Sequence, residues 1–423
     1  MKQAIASATV AMLLTATGAA AQQSPAEPAP PADEPNWRVA WEGHPSLFLG
    51  DDVRLDFRFR LQSDLRGSEG EMGDSHDDDL ARRRIGIDGT VRNILDFQIE
   101  REISNDVDAW RDVFVNYHQY AVAEVQAGKF KMPFGLEENT SATNLDFAYR
   151  SMASQRLAPG RDRGLMVHGA VMRKVVRYEA GWFAHDGKNA RNSNVEEVYG
   201  NGTVAARVSV QPFRKHHPLL KDLLVGAAVT GSHVDEGFPG LHAHSALDAP
   251  FYTSKVWVNG QRQRTGLEFR WRPGPASLKA EYMRVSTQRL GESLEATDLE
   301  PLTASGWYVS GTWILTGEKK ADSLAAPLRP LFRGGWGAIE AAARVEGMRF
   351  GSVDTDIAST SPRADVVLGN ADHAVTLGVN WHPMRYVKVQ VNVVREHLAD
   401  PAIGPAPDSP SFWSRVVRFQ LAF

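Results

Sequence analysis

The sequence predicts an all-β fold, a transmembrane antiparallel β-barrel of about 16 strands with an inturned constriction loop. Three observations carry this expectation. Apolar and polar residues alternate strictly from residue 52 onward, and the connections between the alternating segments are in turn long and short. The chain also ends on alternating bulky residues, Trp413, Val417, Phe419, Leu421 and Phe423. Composition leaves room for such a barrel. The 423 residues are 43% hydrophobic, and after the N-terminus no apolar run is long enough for a spanning helix. With no cysteine, a disulfide framework, a cysteine nucleophile and thiolate metal sites are excluded. A formal charge of −4 offers no basic footprint for nucleic acid.

In chain order, residues 1–21 read as a secretory signal peptide. Lys2 supplies the positive start, Ile5 to Leu14 the apolar stretch, and Ala19-Ala20-Ala21 the small residues before a cleavage site. Residues 22–50 begin with a Pro/Ala-rich acidic stretch that cannot bury a core, and read as a periplasmic linker. Residues 51–423 form the barrel. Its strands are expected at 52–62, 80–90, 93–102, 108–118, 122–131, 163–172, 175–185 and 202–212 in the first half. In the second half they are expected at 222–232, 262–272, 276–287, 305–316, 336–348, 372–382, 386–396 and 412–423. In the first of these Val53, Leu55, Phe57, Phe59 and Leu61 alternate with Arg54, Asp56, Arg58, Arg60 and Gln62. Near the end, Val375, Leu377, Val379 and Trp381 lead into a tight turn and return as Val387, Val389, Val391 and Val393. Segments of this length cross the apolar band when tilted, and alternating loop lengths suit long external loops and short periplasmic turns. The place is therefore a Gram-negative outer membrane, with lipid and lipopolysaccharide as surroundings. Trp182, Trp271, Trp307, Trp313, Trp381 and Trp413 are the expected interface girdle, and Arg415, a charge in the apolar row, belongs near the outer rim.

If the apolar row faces lipid, the other row lines a polar bore suited to passive diffusion. Arg54, Arg58, Arg60, Arg207, Arg270 and Arg272 are its expected lumen-lining cations, accompanied by acids such as Glu100, Glu268, Glu281, Glu340 and Glu346. Guanidinium groups suit phosphate and other small anions, so an anion preference is expected; the alternative is that Arg and Glu merely pair across the bore, as in an unselective channel. The long connection 132–162 holds aromatics and turn residues, so folding into the bore buries what solvent would otherwise meet.

At this loop the sequence resembles the phosphate- and polyphosphate-selective porin family, porin O/P. The resemblance rests on GKFKMPFGLEE at 128–138 and LAPGRDRG at 157–164. RLQSD at 60–64, ARRRIGIDG at 81–89 and GWGAIEAAARVEG at 335–347 support it. It implies a sixteen-stranded homotrimeric porin in which arginine ladders draw anions to a constriction containing lysine. Lys129 and Lys131 then correspond to the constriction lysines, Arg82, Arg83 and Arg84 to the arginine cluster of the second strand, and Arg262 and Arg264 to a further basic group. The acidic first loop (Glu69, Glu71, Asp74, Asp77, Asp78, Asp79) departs from a phosphate-collecting mouth. A general or carbohydrate-type porin and a structural or adhesin barrel stay open beside the phosphate reading. No catalytic motif, cofactor site or metal site is expected. His216-His217 and His242-x-His244 read as solvated loop residues.

Overall fold

The computed structural model describes residues 36–69, 78–103, 109–190, 201–215, 217–237, 240–247, 250–253, 256–322, 326–351, 369–401 and 409–423. The expected signal peptide, most of the linker and the acidic residues Glu71, Asp74 and Asp77 lie outside them. The described chain begins with a hairpin, β1 (Trp37–Trp41) and β2 (Pro45–Leu49). Nine wall strands follow: β3 (Val53–Ser68), β4 (Asp78–Val91), β5 (Leu95–Glu102), β6 (Trp110–Tyr120), β7 (Ala123–Lys131), β8 (Arg161–Val171), β9 (Val176–Phe183), β10 (Asn201–Val210) and β11 (Leu224–Gly237). A small external hairpin, β12 (His242–His244) and β13 (Pro250–Thr253), interrupts the series. The wall resumes as β14 (Val258–Trp271), β15 (Ala276–Arg289), β16 (Leu299–Ile314), β17 (Ala338–Phe350), β18 (Asn370–Met384), β19 (Val387–Leu398) and β20 (Ser411–Ala422).

Each wall strand pairs antiparallel with the next, and β20 closes onto β3 from Ser414↔Ser68 to Ala422↔Arg60, giving a sixteen-stranded barrel. All sixteen expected strands are present. Several run further at the long-loop end, with β3 reaching Ser68, β14 starting at Val258 and β16 at Leu299. There the ladder continues above the apolar band, where lipid no longer imposes alternation. Within the band the rows sort as expected: Val375, Leu377, Val379, Val391 and Val393 are exposed outward, while Thr376, Asn380, Gln390 and Asn392 are buried inside. Trp182, Trp307, Trp313 and Trp413 are exposed outward. Trp271 and Trp381 are half-buried, their indoles donating to the carbonyls of Leu219 (2.9 Å) and Trp336 (2.7 Å) in the short-turn-side connections. Arg415 is exposed and opposite Gly67 near the long-loop end of β3.

The linker expectation needs correcting at residues 37–49. They alternate (Trp37, Val39, Trp41) and form the β1–β2 hairpin, with β2 pairing along β3 from Ser46↔Asp56 to Leu49↔Val53. This is the part of β3 that extends below the end of β20, so the hairpin satisfies backbone groups that the last strand leaves open. Trp41 packs against the terminal Phe423, with ring centroids 5.7 Å apart, and donates to the Tyr386 hydroxyl at 3.1 Å.

The interior is filled unequally. The connection between β7 and β8 turns into the bore, its neck tied by Met132 N–H donating to the Gly160 carbonyl at 2.8 Å. Gly135 and Gly160 make its bends at φ 80° and 79°, a region where a side chain is strained. Phe134, Leu145, Phe147, Met152 and Leu157 are almost wholly buried. Each such side chain is worth about 1.5–3 kcal/mol when buried, which is why this loop leaves the solvent. It carries the short helices α1 (Leu136–Asn139) and α2 (Met152–Arg156) and packs against the wall from β14 to β20. Phe251 and Tyr252 of β13 join the same core above it, with Tyr252 stacked on Phe350 at 4.8 Å.

Candidate functional site

The polar inward row of β14–β20 is spent on holding the loop. Glu281 accepts from the backbone N–H groups of Leu136 (2.5 Å) and Glu137 (2.9 Å), and Glu346 from that of Met152 (2.7 Å). Lys388 donates to the carbonyls of Thr143 and Leu145, both at 2.9 Å, Arg344 to Tyr149, and Arg418 to Ala148. Asp146 in the loop receives Lys279 at 2.7 Å and Lys320 at 2.6 Å. Burial would raise the Asp146 carboxyl, but these two ammonium groups override it and hold it well below the usual carboxylate range.

Open space lies on the opposite side, between the loop and β3–β9. Three successive cavities share lining residues from the outside inward. The outer one, of about 620 Å³, is lined among the described residues by Arg66, Arg82, Arg111, Lys129, Arg150, Arg161, Arg163 and Lys188 against the acids Glu138 and Asp162. The central one, of about 320 Å³, has Arg58, Arg60, Arg82, Arg84, Lys131, Arg150 and Arg161 against Glu100, Asp112 and Glu179. The inner one, of about 420 Å³, has Arg58, Arg60, Arg84 and Arg385 against Asp56, Asp88 and Glu100. The cationic excess therefore falls from six through four to one along the path, in a chain whose overall charge is negative.

Within the central cavity some cations are neutralised and some are not. Arg161 forks onto Asp112 at 3.1 and 2.7 Å, and Arg84 meets Glu100 at 3.0 Å. Arg58 pairs with Asp88 at 2.9 Å. Arg60 is farther from Glu100, at 3.6 Å, and its Nε has no partner. Among the described residues Arg82 donates only to the neutral Gln62 side chain, at 2.8 Å, and Lys131 only to the carbonyls of Glu138 (2.5 Å) and Thr140 (3.1 Å). Arg150 of the loop crosses to Glu138 at 3.3 Å. Burial would raise the Glu138 carboxyl, but Arg150, Lys188 and Lys131 outweigh it and hold it down to about 2. Among the described residues, Arg82 and Lys131 thus face the cavity without an acidic side chain in direct contact.

The expected site residues divide accordingly. Lys131, Arg82, Arg84, Arg58 and Arg60 line the central cavity. Lys129 lines the outer cavity and not the central one, its ammonium on the Trp110 carbonyl at 2.7 Å. Arg83 is a correction: it shares the outward parity of Ile85, is exposed, and is not among the cavity residues. Arg262 and Arg264 are another. Both face inward but are 1% exposed, clamped on Asp186 at 2.6 and 2.7 Å, with Arg264 also on the Leu157 carbonyl at 2.9 Å. They anchor loops and are not among the residues lining the three cavities. Arg264→Ala is accordingly expected to cost as much as about 3–5 kcal/mol of thermal stability while leaving the reversal potential unchanged. Thermal melting and bilayer recording of that variant check both parts.

Of the lumen cations, Arg207 is wedged between Glu179 (2.8 Å) and Glu268 (2.9 Å). Arg54 pairs with Asp56 and Glu42, and Arg270 and Arg272 reach Asp322 of the short-turn-side connection. His242 and His244 are half-buried on β12 rather than solvated. Burial, with Arg156 nearby, lowers both, His244 to about 4, so they are neutral. Among the described residues no cluster suits a metal. Arg150, Arg161, Arg66, Arg111, Arg163 and Lys188 were absent from the expected set; Arg161 and Arg163 sit in the LAPGRDRG segment, whereas Arg150 lies in an aperiodic loop with no signal.

Comparison with known proteins bears on this geometry. Residues 53–423 match the family described as phosphate-selective porin O and P. Porin O of Pseudomonas aeruginosa is 23% identical over 403 residues, covering 81% of this chain and 83% of that protein. The outer membrane channel DcaP of Acinetobacter baumannii shares the fold with a TM-score of 0.57 at 10% identity, covering 88% of this chain and 98% of the other. The trimer form of OmpT, an outer membrane protein of Vibrio cholerae, gives 0.55 at 13% identity, covering 88% and 100%. OmpF of Salmonella typhi gives 0.52 at 12%, covering 88% and 98%.

Proposed function

Since the chain belongs to the phosphate-selective porin O and P family and is an outer-membrane porin, we propose that it conducts small anions, phosphate among them, by passive diffusion through the cationic path along β3–β9. One observation carries this reading: among the described residues, Arg82 and Lys131 face the central cavity with neutral acceptors. The graded excess of cations concentrates anions at the outer mouth, and several weak sites in series let each ion leave as readily as it entered. Assembly as a homotrimer in outer-membrane lipid and lipopolysaccharide is part of the same proposal, supported by the trimer form of Vibrio cholerae OmpT.

The purified protein in a planar bilayer tests it. In a chloride gradient the reversal potential should be that of an anion-selective channel, and added phosphate should block the chloride current at low concentration. Large steps indifferent to phosphate would identify a general porin in which the paired residues, such as Arg161–Asp112, merely set a transverse field. Absent conductance would favour a structural barrel.

A further inference from the structure

The wall of the central cavity contains an interruption that the capture of inorganic anions does not use. Lumen positions of such barrels are ordinarily polar. Here the inward residues Phe114 on β6, Phe130 on β7 and Met166 on β8 are apolar and all line the cavity. Phe114 and Phe130 meet edge to face at 6.1 Å, and Phe130 meets the wholly buried Phe183 at 5.3 Å. Gly128 gives this stack its room, since a Cβ there would lie 2.6 Å from Phe114 Cα. Phe130 and Phe183 are covered, so Phe114 is the half-exposed end of a rigid aromatic column.

Resting on the anion reading above, we propose that the constriction selects organic anions with an apolar body, such as aryl phosphates and aromatic carboxylates. The anionic group sits at Lys131 on β7 and the body lies on the Phe114 ring. β7 is the strand next to β6, Gly128 is paired with Phe114 and Lys131 lies three residues further along, so roughly 11 Å separates the two backbone positions, within reach of a phenyl ring and its phosphate ester held between the two side chains. Inorganic phosphate can occupy only the cationic end.

Block of chloride current by inorganic phosphate and by phenyl phosphate, compared in the same bilayer, tests this. In the natural protein phenyl phosphate should block at a concentration about three- to tenfold lower than phosphate. Phe114→Gln should bring that ratio to near one, and Phe114→Leu, which keeps an apolar side chain for the Phe130 contact, should leave an intermediate ratio. Equal block by the two compounds in the natural protein, or a ratio unchanged in Phe114→Leu and Phe114→Gln, overturns the proposal while leaving anion selectivity intact. No block by either compound overturns the anion reading beneath it.

Discussion

In Arg82→Glu the reversal potential measured across a chloride gradient is expected to move from the anion side to near zero or to the cation side. Arg82 lines both the outer and the central cavity, and among the described residues its acceptor is a neutral amide. A unit charge ~5 Å from a permeating ion is worth about 3 kcal/mol at an effective dielectric of ~20. Pore water and mobile ions reduce this severalfold, so the substitution should lower anion-over-cation permeability on the order of tenfold, more at low salt. Lys131→Glu should act in the same direction, because its ammonium faces the same cavity and rests on carbonyls. A reversal potential unmoved in both variants would remove the central cations from the permeation mechanism.

Asp146→Asn should instead loosen the loop. The carboxylate is buried between Lys279 and Lys320, and Lys320 also reaches Glu340. Removing its charge leaves two buried ammonium groups short of a partner, a loss of about 3–5 kcal/mol. The expected results are a lower melting temperature of the folded barrel and a larger, noisier single-channel conductance. The pH dependence follows the same logic. The native carboxyl titrates well below its unfolded value, so its contribution is complete above about pH 4 and is lost only as pH falls through the folded value. The natural channel should thus keep its conductance at pH 4, at which Asp146→Asn is already altered. Equal melting temperatures and conductances in the two proteins would show that the loop is held elsewhere.

Period two made the wall legible because lipid on one side and water on the other impose it at every second residue. Parity points Arg58 and Arg60 into the bore and the family resemblance adds Arg82 and Arg84; all four border the central cavity. Parity also speaks against Arg83, which has the outward phase of Ile85; reading Arg82–Arg84 as one cluster overrode that signal. For Arg262 and Arg264 parity was right and the role was not. What they meet is Asp186, 76 and 78 residues away in a loop, and no local pattern encodes such a partner. Arg150 was missed for the same reason: it reaches the constriction through the tertiary fold of a segment without periodicity. The β1–β2 hairpin escaped because five-residue strands beside a Pro-rich stretch give too short a pattern.

The unequal filling of the bore has a genetic consequence. Inward residues of β14–β20 are bound to the loop in a mutual fit, so a change there must be matched by a change in the loop or be lost with the fold. Inward residues of β3–β9 line the open cavities and bond mostly to one another, as in Arg58–Asp88, Arg84–Glu100 and Arg161–Asp112, with fewer ties to the loop. Substitutions on that arc can alter which solutes pass at small cost to folding, and their effects should combine additively with stabilising changes on the other arc. The barrel thus separates what must be inherited together from what is free to diverge, and relatives adapted to different nutrients should differ first along the β3–β9 arc.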